Sequence, residues 1–281
     1  MKKRKTIAII VIIISLIALL GAVGFLIFKT LNTKHTDDEY KKLASSYASN
    51  IDVTDPTEAQ PATDASGSTV SPATKPTKKS GDGEQPVNNP VDLNSLSQQN
   101  PDVYSWLYVP DTNINYPVAQ SDGDDNYYLH RDVYGNYSFA GAIYSQKCNK
   151  RDYSDRVTVL YGHNMLDGSM FATLHRFEDP DFFSSHKYFY IFTKDRRLTY
   201  EVVSAFVYDD RHIMNSFDFT NDEVFKNWLE DSKNPHSINA NVNESVKLDL
   251  NSKLVVLSTC NDNDVGRYLV EGVLINDEPT E

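Results

Sequence analysis

The hydrophobic and polar positions divide the 281-residue chain into three regions. Residues 7–28 form an uncharged apolar run, whereas residues 50–89 are rich in Pro, Thr, Ser, Asp, Lys and Gly. Further along the chain, short apolar segments alternate with turn-forming residues. This distribution predicts a cytoplasmic tip and membrane anchor in residues 1–36, a juxtamembrane segment and linker in residues 37–90, and one globular domain in residues 91–281.

The apolar run in residues 7–28 is long enough to cross a membrane, because a helix needs about 20 apolar residues to span the hydrocarbon core. A cleaved signal peptide usually has a shorter apolar region followed by small residues, which the bulky sequence around Phe28 does not supply. Four basic residues, from Lys2 to Lys5, precede the run and predict a cytoplasmic N-terminus. We therefore expect a single-pass membrane protein whose globular domain is extracellular.

The region between the anchor and the domain is predicted to be a tether. An acidic start at Asp37 favours a short polar helix over residues 37–44. Residues 50–89 contain almost no aromatic side chains, so burial cannot offset the entropy of ordering them, and we expect disorder. A disordered stretch of roughly 40 residues has a root-mean-square reach of about 35 Å, which would hold the domain away from the lipid surface.

Eight short segments of the domain are rich in β-branched, aromatic and other apolar residues, and turn-forming residues separate them. Such a series predicts a mainly β fold, either a barrel or a sandwich. The predicted strands cover residues 106–109, 114–118, 141–145, 157–161, 187–193, 198–208, 254–260 and 267–275.

Two helices are expected to interrupt this series of strands. A short helix is predicted between Asp92 and Pro101. Thr220 and Glu223 are the first and last residues of a capping box, and apolar residues at helical spacing follow from Phe225 onward. This second helix is therefore inserted just before the last two predicted strands.

Charge and cysteine content narrow the function classes. The formal net charge is −12, and residues 1–36 hold six basic and no acidic residues, which leaves 21 basic and 39 acidic residues in the exported part. Such an acidic domain would repel nucleic acid, so no nucleic-acid partner is expected. Cys148 and Cys260 do not resemble a disulfide framework or a Cys-rich metal site.

The last two predicted strands form a hairpin that brings a thiol close to a guanidinium. Cys260 ends the first strand, residues 261–266 have the Asn, Asp and Gly content of a turn, and Arg267 begins the second strand. A Cys in a strand is usually a small buried hydrophobe. A strand end facing an Arg favours a nucleophile instead, and the pattern alone leaves both interpretations open.

A nucleophilic Cys needs a base or an acid nearby, and His is the usual choice. Among the seven histidines, His163 directly follows residues 156–161, which have the pattern of a buried strand. His163 is therefore predicted at a strand end, as Cys260 is. The other histidines are expected in juxtamembrane or polar loop segments, except His175, whose surroundings are compatible with a helix.

The motifs around these residues resemble those of class B sortases. The resemblance rests on Leu-Tyr-Gly-His-Asn-Met at residues 160–165, Asp-Gly-Ser-Met-Phe at residues 167–171, Leu-Ser-Thr-Cys at residues 257–260, and the strand-opening Arg267. It extends from about residue 92 to residue 275, nearly the whole exported domain. Further matching segments lie at residues 106–110, 112–118, 126–129 and 138–141.

The resemblance implies an eight-stranded sortase-type β-barrel with an N-terminal helix and a helix inserted before the Cys strand. It implies a transpeptidase without a cofactor or metal that cleaves a secreted protein at a Thr peptide bond within a C-terminal sorting motif. The new carboxyl end would be joined to a peptidoglycan amine of the cell wall. The implied catalytic residues are His163, Cys260 and Arg267, with Asp262, Ser258 and Asn164 as supporting residues.

Three alternatives have different sequence signatures. A papain-like hydrolase usually places its Cys before its His and at a helix N-terminus, unlike the order and strand position found here. A pilin-polymerising class C sortase resembles a design with an Asp-Pro lid, whereas Asp55-Pro56 lies in the predicted linker. In a non-enzymatic wall protein, Cys260 would only fill the core.

Overall fold

The strands of the computed structural model are β1 (Val103–Tyr108), β2 (Asn115–Ala119), β3 (Ile143–Tyr144), β4 (Val157–Tyr161), β5 (Tyr188–Phe192), β6 (Arg196–Tyr208), β7 (Asn241–Val242), β8 (Leu254–Cys260) and β9 (Arg267–Pro279). They form one sheet in the order β5-β1-β2-β3-β4-β8-β9-β6-β7, and a pairing between β5 and β6 closes eight of them into a barrel. The structure describes residues 2–48, 51–53, 86–237, 239–260 and 266–281.

The predicted eight-stranded barrel is therefore confirmed, and all eight predicted strands are present. The ninth strand, β7, was missed by the sequence pattern. It pairs only with β6 and lies outside the closed barrel. A strand of two residues shows no alternation that a sequence pattern could detect.

A long N-terminal helix precedes the barrel, and short helices precede or connect its strands. The α-helices are α1 (Lys2–Tyr47), α2 (Leu93–Gln99), α3 (Pro180–Ser185), α4 (Ile213–Ser216) and α5 (Asp222–Lys233), and 3-10 helices cover Tyr127–His130 and Ala172–Glu178. Helix α2 begins where predicted, because the Asp92 side chain accepts a hydrogen bond from the backbone N–H of Ser95.

The inserted helix α5 is also present, but its N-cap is Asn221 and not Thr220. The side chain of Asn221 accepts hydrogen bonds from the backbone N–H groups of Glu223 and Val224. The hydroxyl of Thr220 donates instead to Asp218, at 2.6 Å, and so is not available to cap the helix. The predicted capping box is thus wrong by one residue.

Alternate residues of β8 contribute to two hydrophobic cores, one on each face of the strand. Val255 and Leu257 belong to the barrel core. Leu254 and Val256 belong to a second core on the outer face, together with Trp228 of α5. The inserted helix therefore covers the outer face of the strand that ends in Cys260.

Helix α1 runs without a break through the predicted anchor and the predicted polar helix of residues 37–44. Within residues 9–47 it is long and apolar enough to cross a membrane, with an 18-residue window of mean hydropathy 3.1. Its C-terminal part packs against the barrel, where Thr36 and Tyr40 are buried. The hydroxyl of Tyr40 donates to the backbone carbonyl of Gly141 at 3.0 Å.

The packing of α1 does not support the expected spacer role of the linker. The chain lies on the barrel at both ends of the predicted linker, because Ala48, just before it, is buried and Val87, near its last residue, forms a β-bridge with Thr280. Most of the predicted linker, residues 54–85, lies outside the described residues. The three domain boundaries given above stay predictions.

Candidate active site

Strands β4 and β8 are parallel neighbours, so their carboxyl ends lie at the same edge of the sheet. Tyr161 is in register with Ser258, and the N–H of Gly162 donates to the carbonyl of Ser258 at 3.2 Å. His163 and Cys260 each follow two residues after this registered pair. Because side chains alternate along a strand, this spacing is compatible with both residues lying on the outer side of the sheet.

Arg267 lies next to the thiol because β9 runs antiparallel to β8. Cys260 and Arg267 are the last registered pair of this hairpin. The Nη1 of Arg267 donates to the Sγ of the half-buried Cys260 at 3.1 Å. A guanidinium carries five N–H donors in one plane, so further donors remain for an oxygen atom that reaches the sulfur.

His163 is held by the segment that precedes β3. Its Nε2 lies 2.8 Å from the backbone carbonyl oxygen of Leu129, which can only accept a hydrogen bond. Neutral His163 therefore carries its proton on Nε2, and Nδ1 is the nitrogen left to accept a proton. The ring of His163 also stacks on His130, with 5.5 Å between centroids.

The surroundings of His163 favour the neutral imidazole. Burial lowers the pKa of His163, and the neighbouring His130 and Arg267 lower it further, while the hydrogen bond to Leu129 acts in the opposite direction. Most molecules at neutral pH therefore carry an uncharged His163, and only a minority carry the imidazolium.

Asn164 holds the backbone of the proposed nucleophile. Its Nδ2 donates to the carbonyl oxygen of Cys260 at 3.3 Å. The same carbonyl oxygen lies 3.2 Å from Nε2 of His175, whose Nδ1 lies 2.6 Å from Oε1 of Glu178. The His175 ring stacks on Tyr268, with 4.8 Å between centroids. These contacts hold the carbonyl end of Cys260 in place.

His175 was not selected from the sequence, although its contact with the Cys260 carbonyl places it at the site. The residues around His175 are compatible with a helix. They contain no signal for a contact with Cys260, which lies 85 positions away in the chain. Leu129 was missed as well, because its contribution is a backbone carbonyl, and a backbone atom has no signature in residue type.

Ser258 and Asp262 are the other two residues predicted to support the site. Ser258 is buried, with 3% of its surface exposed, and its backbone fixes the register with β4. Asp262 lies outside the described residues. Cys148 is an exposed free thiol, as expected for a loop residue.

Two tyrosines lie beside the thiol and the guanidinium. The rings of Tyr144 and Tyr161 are 5.5 Å apart between centroids. Burial raises the pKa of Tyr144 to about 12, with Arg267 lowering it and Cys260 raising it. Burial also raises the pKa of Tyr161, so both phenols stay neutral at physiological pH. Within the described part of the chain, no group of three or more His, Cys, Asp or Glu side chains is placed to hold a metal ion.

The family model and the similar sequences point to the same family. The family model described as "Sortase domain" matches residues 107–275. Sortase B of Listeria monocytogenes is 36% identical over 192 residues, which are 66% of this chain and 74% of that protein. Sortase B of Staphylococcus aureus is 31% identical over 168 residues, or 60% of this chain and 67% of that protein.

Solved structures agree with the sequence relatives. Sortase B of Bacillus anthracis in complex with AAEK1 has a TM-score of 0.58 and 31% identity, over 65% of this chain and 83% of that chain. The Staphylococcus aureus sortase B–substrate complex has a TM-score of 0.58 and 26% identity, over 65% and 84%. A Streptococcus pyogenes class B sortase involved in pilus biogenesis has a TM-score of 0.55 and 30% identity, over 66% and 98%.

Proposed function

The chain belongs to the sortase family, in class B, and we propose that it is a transpeptidase that attaches secreted proteins to the cell wall. Its substrate is a secreted protein with a C-terminal sorting motif, which the enzyme cleaves at a Thr peptide bond. A peptidoglycan amine then receives the new carboxyl end. The observation that carries this proposal is the 3.1 Å contact between Arg267 Nη1 and Cys260 Sγ, at the sheet edge where His163 follows the neighbouring strand.

Each chemical step uses a group of this site. The Cys260 thiolate attacks the carbonyl carbon of the Thr peptide bond, and the oxygen acquires negative charge. Arg267 donates hydrogen bonds to that oxygen. The His163 imidazolium protonates the departing amine as the C–N bond breaks, which leaves a thioester on Cys260. The acceptor amine then attacks the thioester, gives up a proton to His163 and releases Cys260.

Because burial favours neutral His163, few enzyme molecules hold the thiolate and the imidazolium together at neutral pH. Slow turnover is therefore expected. The proposal also includes the expected topology, in which α1 crosses the membrane and the catalytic domain is extracellular. That placement brings the domain to both partners, the exported protein and the wall peptide.

A panel of sorting peptides tests the proposal when each is incubated with the protein, with and without a primary amine. Mass spectrometry of the products should show cleavage after Thr and, with the amine present, a new amide at the Thr carboxyl group. Cys260→Ala should abolish both products, and the control variant Cys148→Ala should retain both. A free carboxyl product alone at saturating amine would support the papain-like hydrolase instead.

The identity of the acceptor amine distinguishes cell-wall attachment from the pilin-polymerising alternative. One similar structure is a class B sortase involved in pilus biogenesis. If a lysine of a folded pilin-like protein were the preferred acceptor over a wall-peptide amine, cell-wall attachment would be wrong and cleavage at Thr would still hold.

A further inference from the structure

The loop that leads into β3 lies along helix α1, just beyond the apolar run of that helix. The side chain of Asn32 in α1 bonds to the loop backbone twice. Its Oδ1 accepts from the N–H of Phe139 at 2.9 Å, and its Nδ2 donates to the carbonyl oxygen of Tyr137 at 3.4 Å. One turn later, the hydroxyls of Thr36 and Ser138 share a buried hydrogen bond of 2.9 Å. These contacts fix the position of the loop along the helix.

An aromatic cluster extends the contact into the apolar run itself. The ring of Phe139 lies edge-on to the rings of Phe25 and Phe28 in α1, at 5.9 and 6.0 Å between centroids. The ring of Tyr137 is 5.4 Å from that of Phe139 on the same measure. The Nζ of Lys29 lies 5.8 Å from the Phe139 ring centre. The globular domain therefore contacts α1 at the last turn of the run.

The length of the apolar run places this cluster at the edge of a bilayer. As a helix, residues 7–28 extend about 33 Å at a rise of 1.5 Å per residue, close to the roughly 30 Å of a hydrocarbon core. Phe25 and Phe28 lie at the C-terminal end of the run, and both are exposed on the protein surface. A loop that packs on them lies at the lipid–water interface if α1 crosses the membrane.

The exposed side chains of the cluster suit such an interface. Tyr137 leaves 52% of its surface exposed, although most of it is an aromatic ring. Tyrosine is enriched where acyl chains meet headgroups, because its ring is apolar and its hydroxyl can hydrogen-bond to water and headgroups. Lys29 also fits this position, since a Lys near the end of a span extends its ammonium group to the headgroups.

A second exposed tyrosine of the same loop lies further from the expected membrane. Tyr134 is 44% exposed. Partial burial raises the pKa of Tyr134, and Tyr47 and Glu39 raise it further, so its hydroxyl lies near later turns of α1. Glu39 is about 16 Å further along the helix than Phe28. Tyr134 is therefore a matched control for Tyr137, with similar exposure and a different height above the lipid.

We propose that Tyr137 and Phe139 insert into the outer lipid–water interface and seat the catalytic domain on the membrane. The partner of this surface is the lipid itself. The loop also reaches the active site, because the N–H of Ser138 donates to the carbonyl of His130 at 3.0 Å and the His130 ring stacks on His163. The proposal rests on the expected crossing of the membrane by α1 and does not depend on the transfer reaction.

Quenching of tryptophan fluorescence by brominated lipid tests the contact, with the full-length protein reconstituted in phosphatidylcholine vesicles. Tyr137→Trp introduces an indole into the loop. Trp106 and Trp228 are both buried and supply a background that the wild type measures. Lipid brominated near the headgroup should reduce the emission added at position 137 at least twofold. Lipid brominated near the chain ends should reduce it less.

Two control variants separate this contact from the span. Tyr134→Trp should show no quenching, and Leu19→Trp, in the middle of the apolar run, should be quenched most by lipid brominated near the chain ends. Quenching in Leu19→Trp without quenching in Tyr137→Trp would overturn the proposal, as would equal quenching in Tyr134→Trp and Tyr137→Trp. Absence of quenching in Leu19→Trp would overturn both the expected topology and the proposal. None of these measurements uses enzymatic activity, so failure of the proposed reaction would be seen separately.

Discussion

Arg267 can supply a planar set of hydrogen-bond donors in addition to its positive charge. Its Nη1 already contacts Sγ of Cys260 at 3.1 Å, so a carbonyl oxygen bound at the sulfur comes within reach of the same planar group. Lys would keep the charge on a flexible stem, but it lacks the planar arrangement of donors. The positions of both residues follow from the hairpin register, which pairs Cys260 with Arg267.

Arg267→Lys should therefore be nearly as damaging as Arg267→Ala, with kcat/KM reduced by roughly 10²- to 10³-fold. The measurement is kcat/KM on the best sorting peptide. Arg196→Lys is a suitable control, because Arg196 pairs with Pro279 at the other end of the same sheet. A Lys variant of Arg267 within about threefold of wild type would remove Arg267 from the catalytic residues.

Glu271 lies in β9 and is fully buried. It should make the folded protein less stable as the pH rises. Burial raises its pKa from 4.5 to about 7, with Ser232 and Ser204 lowering it and Asp231 raising it slightly. The folded protein therefore holds this proton more tightly than the unfolded chain does. Its contribution to stability is complete below about pH 4.5 and is lost as the pH rises to about 7, a change on the order of 3 kcal/mol.

Chemical unfolding of wild type and Glu271→Gln between pH 4 and 8 measures this contribution. The free energy of unfolding of wild type should fall relative to the Gln variant as the pH rises, because Gln does not titrate. Parallel pH profiles for the two proteins would mean that Glu271 is not buried as described.

The loop between the 3-10 helix Tyr127–His130 and β3 links helix α1 to His163, the proposed catalytic histidine. Gly141 accepts a hydrogen bond from Tyr40 of α1. Gly141 also has a positive φ of 62°, and a Cβ at this position would lie 2.5 Å from the carbonyl oxygen of Leu129. This oxygen is the hydrogen-bond partner of His163.

Gly141→Ala should therefore push the Leu129 carbonyl away and displace His163. A displacement of about 1 Å can cost roughly 10²-fold in rate, and we expect a loss of that size in kcat/KM. Gly135→Ala is a matched control, because it also has a positive φ, of 82°, but its nearest neighbour would be the Tyr127 hydroxyl at 3.2 Å. Wild-type kcat/KM in Gly141→Ala, with a stability loss equal to that of the control, would contradict this link.

The strands and helices that the sequence predicts correctly are those with local signals. β8 begins with a continuous run of apolar residues, α5 has apolar residues at helical spacing, and Asp92 is a local cap, so each is visible within a few residues. The contacts of His175 and Leu129 arise only when distant segments meet in the barrel. Their sequence separations from the groups they contact, 85 residues for His175 and 34 for Leu129, leave no local pattern to detect.

The largest difference from the sequence interpretation concerns how the anchor meets the domain. A polar helix after an apolar run was expected to lead into a flexible tether, because residue type alone does not show which face of a helix is covered. In the structure, Thr36 and Tyr40 use one face of α1 to contact the barrel. The domain is therefore attached to the helix directly, in addition to the chain connection through the linker.

The expected orientation of α1 in the membrane predicts which side a protease can reach. Basic residues precede the apolar run, so the catalytic domain should be digested when protease is added to intact protoplasts. Immunoblotting for the domain before and after protoplast lysis provides the readout. Complete protection in intact protoplasts would reverse the topology.

In the proposed reaction, Cys260 holds the substrate as a thioester between cleavage and transfer. Intact-protein mass spectrometry after incubation with a sorting peptide, without an amine, detects such a thioester. We predict an added mass equal to the peptide fragment that ends in Thr, located on Cys260 and released by hydroxylamine. The adduct should be absent from Cys260→Ala and present in Cys148→Ala. Peptide cleavage without any adduct, or an adduct on Cys148, would rule out a thioester on Cys260.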